Sequence, residues 1–162
     1  TGNAQSALEK QAAASGFAER IHFLGTLTSD EIPPRIATAD LLVLPSRWDG
    51  WGLVVNEALS VSVPVIVSDR CGSSDLIQHG VNGYVFRSQN ADDLRGGLRR
   101  FLDQRADARK AMRDAARAIG KTVAVETAAR YLIDCLRHNT GTLAAKPVAP
   151  WLKPTRCEAI DR

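Results

Sequence analysis

Two carboxylates and two glycines are gathered in one short stretch of this chain. It reads Pro45-Ser46-Arg47-Trp48-Asp49-Gly50-Trp51-Gly52 and continues as Leu53-Val54-Val55-Asn56-Glu57-Ala58-Leu59. Gly50 and Gly52, on either side of Trp51, let the backbone approach a ligand closely. Residues 52–60 read as a helix, and a helix start offers unpaired N–H groups together with a positive dipole end. That combination seats a phosphate or pyrophosphate. Asp49 and Glu57, with seven residues between them, would repel such a group unless they faced away from it. Carboxylates so placed accept hydrogen bonds from hydroxyls, as on a sugar and a ribose. Arg47 reads either as a grip on the diphosphate or as a surface arginine.

The elements around this stretch alternate. Residues 4–15 are alanine-rich and predict a helix stopped by Gly16. Ile21-His22-Phe23-Leu24 alternates as a short strand would, ending at Gly25. Thr28 or Ser29 is expected to cap a helix that Pro33 and Pro34 keep short. Residues 40–45 and 64–68 are apolar on both faces, which suits buried parallel strands. Between them lies the helix carrying Glu57. Ser73 or Ser74 starts a brief helix that stops at Gly80, and Asn82-Gly83 turns into a last strand over 83–86. Helices follow near 91–103, 107–119 and 123–138, and residues 139–162 read as a tail or an extended wrap. Strands alternating with helices predict an α/β fold, a Rossmann-like parallel sheet with helices on both faces and a helical segment at its end. Ligands of such sheets sit beyond the strand C-termini, so the loops after Leu24, Pro45 and Ser68 are where chemistry is expected.

Composition agrees with one ordinary domain. The chain has 162 residues, 44% hydrophobic and 24% charged, which excludes a disordered, collagen-like or disulfide-scaffold chain. No apolar run approaches the roughly 20 residues needed to cross a bilayer. No basic-then-apolar leader opens the sequence, and a cytoplasmic protein is expected. The net charge of +3 permits contact with anionic lipid or phosphate without demanding nucleic acid. Cys71, Cys135 and Cys157 are widely spaced and form no zinc motif, so a zinc site is not expected. Arg95, Arg99, Arg105, Arg109, Arg113 and Arg117 recur at mostly four-residue steps. They read as a solvated face or, more sharply, as peripheral contact with the inner face of an anionic membrane.

The stretch from Pro45 to Ala58 resembles the signature of the family-4 (group 1) retaining glycosyltransferases. Arg20-Ile21-His22-Phe23-Leu24-Gly25, Ala39-Asp40, Val63-Pro64-Val65-Ile66, Ser68-Asp69 and Gly80-Val81-Asn82-Gly83 carry the likeness across residues 1–103, in order. The resemblance implies the C-terminal, donor-binding half of a GT-B enzyme, with residues 1–138 as a partial Rossmann-like domain and 139–162 as its tail. It implies transfer of a hexose from a nucleotide-diphosphate sugar, with retention, to a saccharide or lipid-linked saccharide acceptor. By the same likeness Asp49 faces the donor sugar hydroxyls and Glu57 holds the ribose. The backbone of Gly50, Trp51, Gly52, Leu53 and Val54 carries the diphosphate and sugar contacts, and Leu27 faces the nucleobase. The family requires no metal.

Three departures from the family follow. Asp49 stands where Glu is usual. Ser62 stands where a glycine usually ends the helix in a left-handed conformation; either it bears a strain of about 1 kcal/mol there or the helix ends differently. Thr1-Gly2-Asn3 resembles the loop ending the domain's second strand. In the family order 3-2-1-4-5-6, two strands would then be lacking between residues 21–24 and 40–44, and the acceptor domain would be lacking too. The isolated chain is therefore expected to be incomplete and inactive as an enzyme. The other reading is a non-catalytic nucleotide-binding or protein-interaction module with the same fold.

Overall fold

Residues 4–151 are described by a computed structural model. The elements in chain order are α1 (Gln5–Ala14), α2 (Ile32–Ala37), β1 (Leu42–Leu44), α3 (Leu53–Ser60), β2 (Val65–Ser68), β3 (Gly83–Phe86), α4 (Ala91–Leu102), α5 (Ala106–Thr122) and α6 (Val125–Asn139). Single turns of 3-10 helix occupy Ala18–Arg20 and Gly72–Leu76. The second replaces the brief helix expected up to Gly80. The expectations for Thr1-Gly2-Asn3, for Cys157 and for the end of the tail lie outside the described residues.

The three strands run parallel in the order β1-β2-β3. Leu42, Val65 and Gly83 stand side by side, as do Leu44, Val67 and Val85. The central strand is buried at every residue. Its alternation divides the core into two layers. Val65 and Val67 face Val55, Ala58 and Leu59 of α3, with Ala116 of α5 behind them. Ile66 points the other way, against Tyr84, Phe86, Phe101 of α4 and Met112 of α5. Helices thus cover both faces, which is why β2 reads as an unbroken apolar run.

Local signals set the helix ends. Asn90 Oδ1 accepts the Asp93 N–H at 3.0 Å and starts α4. Before α2, the N–H and hydroxyl of Thr28 both donate to the Glu31 carboxylate at 2.8 Å, holding Glu31 below the ordinary glutamate range. Pro33 and Pro34 lie in the six-residue α2, as short as expected. At the end of α3, Ser62 N–H bonds the Leu59 carbonyl and Val63 N–H bonds that of Ala58. This double closure requires a left-handed residue, and Ser62 supplies it with φ 66°. The strain read from the sequence is present. Close by, Gly120 lets α5 rest on the Leu59 carbonyl, where a Cβ would collide with α3 backbone.

Residues 21–24 correct the sequence reading. They belong to no strand. Ile21, Phe23 and Leu24 are 41–46% exposed. Alternation predicts a strand only if a neighbour supplies the other half of its hydrogen bonds, and no described strand lies beside this segment. β1 is accordingly an edge of the described sheet. Beyond α6 the chain turns back: Trp151 packs edge-on against Tyr131 at 5.3 Å, and Ala149 is buried. Among the described residues no helix is long and apolar enough to cross a membrane.

Candidate functional site

The loop leaving β1 and the loop leaving β2 are stitched into one rigid unit. Asp49 N–H donates to the Arg70 carbonyl at 3.0 Å, and Gly72 N–H donates to the Asp49 carbonyl at 3.2 Å, a parallel bridge beyond the strand ends. Ser73 N–H and the Cys71 thiol both reach the Trp51 carbonyl, at 2.7 and 3.1 Å. Cys71 is buried and serves this packing, its thiol also 3.3 Å from Ser73 Oγ.

Gly52 forms the cap of α3 with φ 82° and ψ 62°. A Cβ there would sit against Cys71 Sγ, 2.8 Å from Leu44 Cδ2 and 3.0 Å from Ser73 Oγ. Both the backbone conformation and the closeness of the β2 loop therefore demand glycine. Gly50 is different. Its added Cβ would meet only Trp48, at 3.7 Å, so its side toward solvent is open.

The helix start is ready for an anion. No backbone partner within the helix exists for the N–H groups of Leu53 and Val54. Val55 N–H closes back on the Gly52 carbonyl at 2.9 Å. Trp51 behaves differently from Leu53 and Val54. Its N–H donates to Asp49 Oδ1 at 3.0 Å and its indole N–H donates to Asn56 Oδ1 at 2.9 Å. The Trp51 backbone thus holds the loop together, and Gly52, Leu53 and Val54 are left to present N–H groups.

Asp49 is half-buried, with one oxygen committed to Trp51 and one uncommitted among the described residues. It lines a depression of about 330 Å³ together with Gly50, Arg70, Gly72 and Asp75. Glu57 is half-buried on α3, four residues past Leu53, with no hydrogen bond or ion pair to its carboxylate among the described residues. Arg47 is exposed and lines an adjoining cleft with Arg87 and with Arg70, which borders both. Leu27 lies before α2, beside a depression lined by Glu31, Pro34, Arg35 and Thr38, and shares no cavity with Asp49.

Sequence reasoning missed two contributions. Residues 69–73 were anticipated as a strand exit and, at Ser73, as a helix start, but not as the segment that fixes the shape of the 49–52 turn. The loop after β3 was not anticipated at all. Ser88 Oγ donates to the Arg47 carbonyl at 3.1 Å, and Ser88 N–H donates to Asp69 Oδ1 at 2.9 Å, so this loop braces the other two. The usable signal was the parallel sheet itself, whose third strand must also exit at the ligand end. On the α3 side, Trp51, Asn56 and Leu76 line a small cavity of about 200 Å³ with Val123, Ala128 and Trp151. Among the described residues no cluster of three or more His, Cys, Asp or Glu is placed to hold a metal ion.

With this geometry in hand, comparison with known proteins gives a consistent result. Residues 1–119 match the family described as Glycosyl transferases group 1. The lipopolysaccharide core biosynthesis mannosyltransferase LpsB of Rhizobium meliloti is 31% identical over 130 residues, covering 79% of this chain and 36% of that protein. The alpha-D-kanosaminyltransferase of Streptomyces kanamyceticus is 31% identical over 102 residues, covering 63% of this chain and 26% of that protein. This chain thus spans 26–36% of the length of these two relatives. Among solved structures, Anabaena HepE in complex with UDP superposes with a TM-score of 0.72 at 24% identity, over 82% of this chain and 36% of that one. Sucrose-phosphate synthase from Thermosynechococcus elongatus gives 0.73 at 23%, over 86% and 35%. At these identities the solved structures establish the fold, the parallel α/β architecture of GT-B glycosyltransferases. The sheet, the loop–helix unit after β1 and the family match converge: this chain belongs to the group 1 glycosyltransferases.

Proposed function

We propose that this chain is the donor-binding portion of a retaining, family-4 glycosyltransferase that moves a hexose from a nucleotide-diphosphate sugar to a hydroxyl acceptor. The observation that carries the proposal is the start of α3. There a left-handed glycine, locked by the β2 loop, presents free N–H groups between two half-buried carboxylates. The diphosphate sits on Gly52, Leu53 and Val54, Asp49 takes donor sugar hydroxyls, and Glu57 takes the ribose. In the reaction the C1–O bond to the diphosphate breaks and a C1–O bond to the acceptor forms on the same face. The acceptor hydroxyl proton passes to the departing diphosphate. The part of this half of the enzyme is to stabilise the charge that develops on that leaving group, through fixed N–H dipoles and without a metal.

The solved neighbour bound to UDP supports a nucleotide-sugar donor, and the lipopolysaccharide mannosyltransferase relative supports a saccharide or lipid-linked acceptor. The acceptor domain, a cytoplasmic location and peripheral contact with the inner face of a membrane belong to the same proposal. Calorimetric titration with UDP-glucose and GDP-mannose tests it. Saturable binding of one of them, abolished by Gly52→Ala in a variant with an unchanged far-UV spectrum, is the expected result. Absence of binding by any nucleotide sugar would sink the donor reading.

One observation favours a second reading, a non-catalytic nucleotide-binding module. Half of the Asp49 carboxylate is engaged in its own loop. Nucleotide binding without transfer, measured on a chain that includes an acceptor domain, would select that reading.

A further inference from the structure

The exits of all three strands meet at a second cleft, which adjoins the Asp49 depression and does not include the start of α3. It has a volume of about 420 Å³ and is lined by Arg47, Trp48, Asp69, Arg70, Arg87 and Ser88, with Gln89 at its end. Each of the β1, β2 and β3 loops supplies one arginine. Arg47 and Arg70 have no ion-pair partner among the described residues, and Arg87 shares Asp93 at 3.4 Å. Asp69, the carboxylate on the lining, has Oδ1 turned to the Ser88 N–H. The cleft is therefore net positive.

Its walls are braced rather than loose. Besides the two Ser88 bonds, Asp69 N–H donates to the Phe86 carbonyl at 2.9 Å and Arg70 N–H to Ser68 Oγ at 3.1 Å. Gln89 is held at φ 61°, one of two non-glycine residues with positive φ among those described. Strain of this kind persists only where the surroundings over-determine it. On the rim, Trp48 is 77% exposed. A large apolar ring left in water beside three guanidinium groups offers a flat face for the C–H side of a sugar ring.

We infer that this cleft is a phosphoryl-binding subsite that takes a phosphorylated saccharide, its phosphate between Arg47, Arg70 and Arg87 and its sugar ring on Trp48. Guanidinium forks from three loops match the several oxygens of a phosphate monoester. The volume suits one monosaccharide with its phosphate. Gly52, Leu53 and Val54 do not line the cleft, while Trp48, Asp69 and Arg70 are shared with the Asp49 depression, so the anion site adjoins the donor-sugar position without including the start of α3. Its role as the anchor of an acceptor rests on the donor reading.

The test is amide chemical-shift mapping of the 162-residue chain with inorganic phosphate, glucose 6-phosphate and, separately, UDP. Both phosphate probes are expected to shift Asp69, Arg70, Ser88 and Gln89 saturably with millimolar affinity. UDP is expected to shift Gly52, Leu53 and Val54 instead, so failure of either site is seen independently of the other. Arg70→Gln with Arg87→Gln is expected to weaken both phosphate probes about tenfold or more while UDP shifts persist. Trp48→Ala is expected to weaken glucose 6-phosphate and leave inorganic phosphate unchanged. Co-sedimentation with phosphatidylcholine vesicles, with and without phosphatidic acid, identifies the source of the phosphate. Vesicle retention lost in the double arginine variant, without a response to glucose 6-phosphate, assigns the cleft to a lipid headgroup and overturns the saccharide proposal. Response to the soluble sugar phosphate alone assigns it to a free saccharide. Silence in every arm, or phosphate shifts that survive the double variant, overturns the proposal.

Discussion

The N–H of Trp51 donates to Asp49 Oδ1 at 3.0 Å, so the acid expected to meet a sugar also shapes the loop that presents it. The two roles separate by substitution. Asp49→Asn keeps an oxygen for Trp51 and removes the charge; Asp49→Ala removes both. Asp49→Asn is expected to leave the unfolding midpoint nearly unchanged and to weaken nucleotide-sugar binding relative to nucleotide alone. Asp49→Ala is expected to lose about 1 kcal/mol of stability as well. Equal donor binding by wild type and Asp49→Asn would leave the residue a loop brace only.

Gly52→Ala is expected to be the most damaging single methyl in the loop. It must adopt a left-handed conformation and displace Cys71, Leu44 or Ser73. Overpacking and strain together are expected to cost about 2–4 kcal/mol, read as a fall in the denaturation midpoint. Gly50→Ala, where the added methyl has room, serves as the control and is expected to change stability by less than about 1 kcal/mol.

Ser62→Gly runs in the opposite direction. The α3 closure holds Ser62 at φ 66°, a conformation that glycine adopts without a Cβ penalty. The relief is partly offset by the greater freedom of glycine in the unfolded chain. A net gain of about 0.5–1 kcal/mol is expected by urea denaturation, with the slope unchanged.

Acid weakens two anchored carboxylates. The Arg87 N–H donated to Asp93, with the Arg87 guanidinium beside it, holds Asp93 below the ordinary aspartate range. The Thr28 N–H and hydroxyl do the same for Glu31. A depressed folded-state pKa means that the unfolded chain binds protons first. The stabilisation is therefore complete above the ordinary carboxylate values and is lost as pH falls through the lower folded ones. Denaturation midpoints are expected to hold from pH 7 to about 5 and drop below about pH 4. Asp93→Asn and Glu31→Gln are each expected to flatten that drop.

The sequence shows the sheet and the helix start clearly, because both depend on local pattern. Residues 65–68 are apolar without a break, and only a strand covered on both faces tolerates that. Gly52, placed between a strand exit and an apolar helix, marks a cap that no other residue fits. What stays hidden depends on partners distant in sequence. Ile21 and Phe23 alternate as strand residues do, yet a strand is made by its neighbour. Arg87 and Ser88 carry no motif, and only folding sets Ser88 against Arg47, forty-one positions earlier. The bond from Trp51 to Asp49 is local, but its two-residue spacing is shared with many ordinary turns.

Because β1, β2 and β3 run parallel in one register, their three exits form adjacent lips at a single end of the sheet. The residues that differ most in charge (Arg47, Asp49, Asp69, Arg70, Arg87) all lie on those lips, while Val65, Ile66 and Val67 below them are sealed from solvent. Ligand preference can therefore drift by exchange of a handful of rim side chains, with the buried layers left untouched. A scaffold organised this way is suited to diversification, and grafting 46–50 or 87–90 from one relative onto another is the natural way to retune it.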